Sequence, residues 1–184
     1  MNAGAPLFFL LIFCLTHYQN SPAQPSTTLL SMNCEDLIRL DADSLNGAVM
    51  RSAAHNIVVP GDGKKSLTFF VVEMDGVIVL SVSVLGAGDC VDDKSKVRFT
   101  FRNGSSLELI NSGGFNCDAE SSVYFGGGFG HKKELEKFLT VEIDRVWVET
   151  RKSTIDKSKP AFVEASFSPD QSKLFMKTID CLRQ

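Results

Sequence analysis

Two mainly apolar runs, at residues 67–74 and 77–84, give the clearest pattern in the chain. They flank Asp75-Gly76, a dipeptide suited to a two-residue type I′ turn, and this arrangement is typical of a β-hairpin. The register of such a turn pairs Val71 with Leu80 on one apolar face and places Phe70, Val72 and Val79 on the other face. The hairpin is therefore expected in the centre of a sheet, covered on the face of Val71 and Leu80 and partly covered on the other.

A second hairpin is predicted over residues 96–111, where apolar and polar residues alternate. A two-residue turn at Asn103-Gly104 would pair Phe99 with Glu108 and bring a charge onto the apolar face. A three-residue loop, Asn103 to Ser105, pairs Phe99 with Leu109 instead. Because a shift of one residue turns every side chain to the opposite face, the longer loop is the favoured prediction.

The chain ends in a predicted amphipathic helix. Ser168 and Gln171 have the spacing of a capping box, Pro169 suits the first helical position, and apolar residues then recur at helical spacing up to Leu182. The other predicted elements are short: helices at 34–38 and 131–138, and strands at 47–59, 122–125, 145–150 and 161–167. The pattern predicts an α+β fold, a mainly antiparallel sheet with two hairpins, a short N-terminal helix and a C-terminal helix packed on the sheet.

The first 23 residues contain no charged side chain, and residues 5–15 form an unbroken apolar run. The run is too short to span a bilayer, which takes about 20 apolar residues, and it has the length of the apolar core of a secretory signal. Ser21 and Ala23 are the small residues that signal peptidase requires before a cut at Gln24. The sequence therefore predicts a cleaved signal over residues 1–23, with a buried or membrane-held N-terminal segment as the alternative.

Composition agrees with one exported domain. The chain has 184 residues, of which 43% are hydrophobic and 22% charged, and its formal net charge is −3. These values exclude a disordered, collagen-like or coiled-coil protein, and the small charge provides no basic field for nucleic acid. After a flexible lead-in over residues 24–30, residues 31–184 are expected to form a single domain with a substantial core. No transmembrane segment is expected after cleavage, and the predicted location is the periplasm, the cell envelope or the extracellular space.

Four cysteines remain after the predicted signal: Cys34, Cys90, Cys117 and Cys181. An even number outside the cytosol predicts two disulfides, for which three connectivities exist, with free thiols as the alternative. Cys34 and Cys181 lie near the two ends of the mature chain, and the other two bracket the second hairpin. The simplest pairing is therefore Cys34–Cys181 with Cys90–Cys117. No C-x-x-C pair occurs, so a zinc ribbon or a thioredoxin-type redox site has no support.

The glycine-rich stretch at residues 126–133 is the segment most suggestive of ligand binding. It does not match the phosphate-binding loop G-x-x-x-x-G-K-[ST], because His131 stands where the second glycine is required. A loop leading into a short helix could still present main-chain amides and Lys132 to an anion, whereas a glycine turn is the plainer interpretation. The candidate ligand-binding residues are Lys132, His131 and Trp147, with the aromatic side chains of Tyr124 and Phe129 beside them.

Three carboxylates, at Asp89, Asp92 and Asp93, surround Cys90 and suggest a calcium loop. The alternating D-x-[DN]-x-[DN]-G spacing of such a loop is missing, so we expect a solvated acidic loop held by a disulfide. No metal or other cofactor is predicted. No G-x-S-x-G elbow or H-E-x-x-H pair occurs either, and no catalytic residue is assigned.

Five segments resemble a group of exported proteins of Bacteroidetes-type bacteria: GAGDCVDD at 86–93, KVRFTF at 96–101, FNCD at 115–118, YFGGGFGHKKEL at 124–135 and FSPDQSKLFMKTIDCL at 167–182. The likeness covers most of the mature chain, and the Ser-x-Ala-Gln end of the predicted signal is similar as well. The group has no established function or site residues, so the resemblance implies export and no particular activity.

The leading hypothesis is an exported, disulfide-stabilised, non-catalytic domain that binds a protein or an envelope component, or contributes to envelope structure. The alternative is a small-ligand binder or a hydrolase whose site assembles from scattered carboxylates. Fold alone does not decide between them. A deep pocket with two close titratable groups would favour the alternative, whereas a shallow apolar patch or a long unpaired strand edge would favour the leading hypothesis.

Overall fold

The computed structural model describes residues 30–42, 49–86, 89–152 and 160–184. The predicted signal at residues 1–23, and the lead-in up to residue 29, lie outside the described residues. Within these ranges the chain forms helices α1 (Cys34–Leu37), α2 (Lys132–Thr140) and α3 (Pro169–Arg183), and strands β1 (Ile38–Ala42), β2 (Val49–Ala53), β3 (Ile57–Pro60), β4 (Ser66–Met74), β5 (Val77–Leu85), β6 (Asp89–Cys90), β7 (Lys96–Phe101), β8 (Ser106–Ile110), β9 (Glu120–Gly126), β10 (Ile143–Lys152) and β11 (Pro160–Ser166).

The strands form two antiparallel sheets. Sheet A has the order β1-β2-β4-β5-β9, with β3 also paired to β4, and sheet B has the order β11-β10-β7-β8, with β6 paired to the end of β10. The predicted α+β class is confirmed, with its mainly antiparallel sheets, its C-terminal helix and its short N-terminal helix. In the part of the chain that the structure describes, no helix is both long enough and apolar enough to cross a bilayer.

The first hairpin has the predicted register. Asp75 and Gly76 both have positive φ, at 52° and 77°, as a type I′ turn requires. Val71 consequently pairs with Leu80, and the ladder continues without interruption to the far ends of β4 and β5. Side chains alternate along each strand. The buried inner face therefore carries Val71 and Leu80, and the outer face carries the next residues along the two strands, such as Val72 and Val79.

The register predicted for the second hairpin is wrong by two residues. Phe99 pairs with Leu107, not with Leu109. The loop has three residues, as expected, but they are 102–104, because the amide of Phe101 donates to the Ser105 carbonyl at 2.9 Å. Gly104 has a φ of 81° and occupies the last loop position, where a three-residue hairpin loop places a residue in the left-handed region. In the predicted loop, residues 103–105, this glycine would be the second residue and not the last.

Helix α3 begins as the sequence predicts. The amide of Gln171 donates to the Ser168 hydroxyl at 3.1 Å, and the Gln171 side-chain oxygen accepts from the Ser168 amide at 2.9 Å, so that both bonds of a capping box form. Pro169 is the first helical residue. Helix α1 is shorter than predicted, because it ends at Leu37 and the chain continues at once into strand β1.

Phenylalanine rings fill the core between the two sheets and helices α2 and α3. Phe138 of α2 meets Phe99 of sheet B edge-to-face, with ring centroids 4.8 Å apart, and Phe125 of sheet A at 5.9 Å. Phe175 of α3 lies 5.9 Å from Phe69 and 5.6 Å from Phe138. Each of these rings is at most 1% exposed. One continuous aromatic cluster therefore joins both sheets to both long helices.

Both disulfides of the simplest pairing are present, Cys34–Cys181 and Cys90–Cys117. The first fixes α1 to the end of α3, where the Arg51 guanidinium also donates to the carbonyls of Cys181 and Leu182, at 2.8 and 3.0 Å. These bonds provide partners for carbonyls that a helix C-terminus leaves unpaired. The N-terminal end of the domain is thereby tied to its last helix.

Candidate functional site

The predicted acidic loop is not fully solvated, and its carboxylates have partners inside the protein. Asp89 is 6% exposed, and its Oδ2 accepts hydrogen bonds from Lys65 Nζ at 2.9 Å and from the Thr150 hydroxyl at 3.0 Å. Asp92 pairs with Arg151 Nε at 2.7 Å. The expectation of a solvated loop is therefore wrong for these two residues, since a buried carboxylate requires compensating donors and this fold supplies them.

The surroundings of Asp92 favour its ionised form. Burial raises the pKa of this carboxyl, but hydrogen bonds from the Lys94 amide and from Ser95, together with the charge of Arg151, outweigh it and lower the pKa below its ordinary value. Both loop carboxylates thus stabilise the loop itself. Among the described residues, no three His, Cys, Asp or Glu side chains come together as metal ligands would.

The glycine-rich segment forms a tight reverse loop. The amide of Gly126 donates to the Gly130 carbonyl at 2.8 Å, and the amide of Phe129 donates to the Gly126 carbonyl at 3.1 Å. Gly126 has a φ of 87°, and a Cβ there would lie 2.8 Å from the carbonyl oxygen of Gly76 in the first hairpin turn. Glycine is required here because the loop folds back against that turn.

Two of the candidate ligand-binding residues, His131 and Lys132, follow this loop at the start of α2 and are exposed. His131 Nδ1 lies 3.8 Å from the carboxylate of Glu134, which stands in the first turn of the helix. An anion at this helix end would meet that carboxylate, which already interacts favourably with the helix dipole. The anion-binding role of Lys132 and His131 stays a prediction.

Trp147, the third candidate, lies in the middle of sheet B on its outward face. The Phe162 ring of β11 stacks on it, with centroids 4.2 Å apart and an interplanar angle of 18°, and the Arg98 guanidinium of β7 lies 5.3 Å from the indole centroid. Since β11 and β7 flank β10 on opposite sides, these two side chains approach the indole from opposite sides. The ring faces that a ligand would stack on are therefore occupied by the protein's own side chains.

The outward face of sheet B is rich in paired charges. Glu108 accepts hydrogen bonds from Lys96 at 2.8 Å and from Arg98 at 2.6 Å, and these bonds lower the pKa of its carboxyl. Arg145 pairs with Glu164 at 3.3 Å. This face has the mixed charge of an ordinary solvated surface.

A surface depression of about 290 Å³ lies where the loop between β3 and β4 meets strand β11. Its charged groups include Arg145 and Glu164, which are paired with each other, and the hydrogen bonds that Arg145 donates to Glu164 and Asp144 raise the pKa of its guanidinium. The third charged group is Asp62. An Arg–Glu ion pair at the surface is a structural arrangement, so this depression does not supply the two close titratable carboxyl groups that a hydrolase site would need.

The outward face of sheet A differs sharply, because among the described residues its strands β2, β4 and β5 carry no charged side chain on this side, and β9 carries one only at its start, Glu120. The residues at the other outward positions of β2, β4, β5 and β9 have uncharged side chains, which are hydroxyl-bearing, aliphatic, aromatic or thioether groups. We call this surface the uncharged face, and it consists of Met50, Ser52, Thr68, Phe70, Val72, Met74, Val77, Val79, Ser81, Ser83, Ser122 and Tyr124. Ser52 and Thr68 lie on this side of the sheet but are buried, at 3% and 7% exposed.

The register of the strands makes the uncharged face continuous. Val72, Val79 and Tyr124 form one row across three strands. Phe70, Ser81 and Ser122 form the next row, in which the two serine hydroxyls lie 3.4 Å apart.

Among the described outward positions of sheet A, charged residues occur only on the two edge strands, β1 and β9. Arg39 lies on the outward side of β1, and Glu120 lies at the start of β9. The uncharged face is therefore a broad central surface with a charged residue at each side.

The glycine-rich loop contributes to the same surface. Its Phe129 ring stacks on Tyr124, with centroids 5.0 Å apart and an interplanar angle of 26°, and it remains 59% exposed. The reverse loop thus places the exposed ring of Phe129 at the edge of the uncharged face. Tyr124 and Phe129, which the sequence singled out as exposed aromatic residues, are brought together here, whereas Trp147 lies on the opposite sheet.

Part of the uncharged face could be predicted from the sequence. The hairpin pattern already placed Phe70, Val72 and Val79 on the second face of β4 and β5. It did not reveal that β2 and β9 would extend the face on either side, because these strands pair with the hairpin from distant parts of the sequence. The uncharged residues at alternate positions of β2 and β9 would have indicated this extension, but only if the strand order had been known.

No protein-family model, curated protein or solved structure matches this chain. The functional assignment therefore depends on the geometry described above.

Proposed function

We propose that this protein is an exported, disulfide-stabilised binding domain that contacts a protein or another component of the cell envelope through its uncharged face. One observation carries the proposal: the two outward sheet faces have opposite character. On sheet B, Lys96, Arg98 and Glu108 form ion pairs across neighbouring strands, whereas the central strands of sheet A present hydroxyl, aliphatic and aromatic groups alone. A surface that lacks charge over several strands is typical of a recognition surface.

The uncharged face is large enough for this role. Strands β4 and β5 have nine residues each, β2 and β3 together flank β4 along its length, and the seven residues of β9 flank β5. With strands about 4.8 Å apart and a rise of about 3.4 Å per residue, the face measures roughly 19 Å by 30 Å, or about 600 Å² in projection. The largest apolar patch of an ordinary monomer covers about 300–600 Å² and is often functional. The uncharged face has a similar extent, although five of its twelve members are serine or threonine and its apolar part is correspondingly smaller.

Both disulfides support export. They join cysteines that are 147 and 27 residues apart, and structural disulfides of this kind persist in oxidising compartments. The uncharged first 23 residues have the pattern of a secretory signal. The proposed mature protein begins at Gln24 and lies outside the cytosol, like the exported bacterial proteins that the sequence resembles.

Mass spectrometry of protein recovered from producing cells tests the export part. The expected mass is that of a chain starting at Gln24, or of its pyroglutamate form, less the four hydrogen atoms that two disulfides remove. A chain that still begins at Met1, or one with free thiols, would overturn this part of the proposal.

Photocrosslinking in producing cells tests the binding part. A photoreactive phenylalanine analogue replaces Phe70 on the uncharged face, and the same analogue replaces Phe162 on the outward face of sheet B as a matched control. Irradiation is expected to give a covalent adduct from position 70 and none from position 162. The binding proposal is wrong if position 70 gives no adduct, or if both positions give the same adducts.

A further inference from the structure

We propose that the uncharged face binds the same face of a second copy of this chain, so that two sheets A pack against each other in a two-fold homodimer. This inference rests on the proposed function and names the partner. It is argued from the charge, the shape and the size of the face.

The charge pattern favours a like partner. In a two-fold dimer each residue of the interface meets the same patch on the other subunit, so a face with a net charge meets a like charge. The row of Val72, Val79 and Tyr124 carries no charge that could be repelled in this way. It also carries no charge that would select an oppositely charged partner, and strongly acidic or basic partners are thereby disfavoured.

The shape of the face suits a second sheet. Two twisted β-sheets pack face to face about 10 Å apart when medium-sized side chains meet between them. The centre of the uncharged face carries Val72, Val79 and Ser81, whereas the bulky pair of Tyr124 and Phe129 lies at the edge strand β9. Small groups at the centre allow close approach, and a stacked aromatic pair at the side can close over the edge of the opposing sheet.

Hydroxyl groups of the two copies can form hydrogen bonds with each other across such a contact. Ser81 and Ser122 lie side by side, with their Oγ atoms 3.4 Å apart, and each hydroxyl can both donate and accept. On a two-fold axis near this pair, the same two hydroxyls of the other copy are the nearest polar groups. The hydroxyls of Ser81 and Ser122 therefore need not be left without hydrogen-bond partners in the dry centre of the interface.

The size of the face is comparable to that of a specific interface. A specific interface removes about 800 Å² of accessible surface from each partner. The uncharged face covers roughly 600 Å² in projection, and the accessible area of a face covered with side chains exceeds its projection. The exposed ring of Phe129 adds to it.

Multi-angle light scattering after size-exclusion chromatography of the mature, disulfide-bonded protein tests the inference. The wild-type protein is expected at twice the monomer mass at about 100 µM. Ser81→Glu places one carboxylate per copy in the centre of the contact, and it is expected to raise the dissociation constant of the dimer by roughly 100-fold or more. The matched control is Thr100→Glu, which adds the same charge in place of a hydroxyl on the outward face of sheet B, opposite Arg145. It is expected to leave the dimer intact.

Thermal unfolding of both variants shows whether each one folds. If Ser81→Glu is unfolded, Val79→Glu in the neighbouring row replaces it in the same measurement. A wild-type protein that is monomeric at every concentration, or a dimer that both glutamate variants weaken equally, overturns the dimer. If a monomeric protein still forms an adduct from position 70 with another cell component, the binding function stands and only the second copy is excluded. If position 70 gives no adduct at all, the binding function itself fails.

Discussion

The side-chain oxygen of Asn111 accepts a hydrogen bond from the main-chain amide of Ser122 at 2.9 Å, and this contact joins the two sheets. Asn111 directly follows β8 of sheet B, and Ser122 lies in β9 of sheet A. The same carboxamide donates to the carbonyls of Asp92 and Gly113, at 2.8 and 3.1 Å, and accepts from the Gly113 amide at 3.0 Å. At 3% exposure, one buried side chain thus holds the ends of both sheets and the loop of the second disulfide.

Replacement of this residue, Asn111→Ala, is expected to lower the free energy of unfolding by about 2–4 kcal/mol, because it leaves several buried main-chain groups without partners. Urea unfolding followed by circular dichroism measures the change. The control is Asn103→Ala, which removes a carboxamide that bonds only Ser105 in the exposed hairpin loop. It should change the free energy of unfolding by less than about 1 kcal/mol. Equal effects at the two positions would contradict the role assigned to Asn111.

The two disulfides should differ in their contribution to stability. In the chain-entropy model, a bridge contributes about 5 kcal/mol for a separation of 147 residues and about 3.5 kcal/mol for one of 27. Replacing Cys34 and Cys181 together by alanine is therefore expected to lower the melting temperature more than replacing Cys90 and Cys117 together. Each double variant retains the other bridge, which makes the pair a matched comparison in one thermal unfolding series. A larger loss from the Cys90–Cys117 variant would show that local strain or packing outweighs loop length.

The parts of the fold that could be predicted from sequence are those fixed by neighbours in the chain. Asp75-Gly76 determines the register of the first hairpin because both residues accept positive φ. Ser168 and Gln171 determine the start of α3 because the bonds of a capping box form within one turn. In both cases local chemistry is sufficient, and distant residues do not alter the outcome.

The parts that could not be predicted depend on contacts between distant segments. Asp89 was expected in solvent, but it is buried, and Lys65 and Thr150, which lie far from it in sequence, donate hydrogen bonds to its carboxylate. The uncharged face was only partly visible for the same reason, since β2 and β9 join the hairpin from opposite sides. Local pattern identifies the strands, whereas their order in the sheet determines which outward residues become neighbours.

The register of the second hairpin depends on one glycine. Gly104 has a φ of 81°, and a Cβ there would meet no heavy atom within 4 Å, so a substitution changes only the backbone energy. Gly104→Ala is therefore expected to lower the free energy of unfolding by about 1–2 kcal/mol, which is the cost of placing an L-residue in the left-handed region. The control is Gly114→Ala, a position that is equally open but does not have a positive φ. Equal unfolding free energies for the two variants would show that the left-handed conformation does not fix this loop.

Acid should weaken the protein partly through Asp92. The pKa of this carboxyl is lower in the folded protein than the ordinary value of about 3.9, so its contribution to stability is fully present above about pH 4 and is lost as the pH falls through the folded-state pKa. Asp92→Asn is expected to lower the free energy of unfolding by roughly 1 kcal/mol at pH 7, and by progressively less below about pH 4, because protonation of the carboxyl, first in the unfolded chain and then in the folded protein, removes the advantage of the ionised form. Urea unfolding of both proteins at pH 7 and at pH 3 measures the difference. Asp93→Asn makes the same change at the exposed neighbouring position, and it should have little effect at either pH. A difference between wild type and Asp92→Asn that is as large at pH 3 as at pH 7 would mean that the ionised carboxylate does not stabilise the loop.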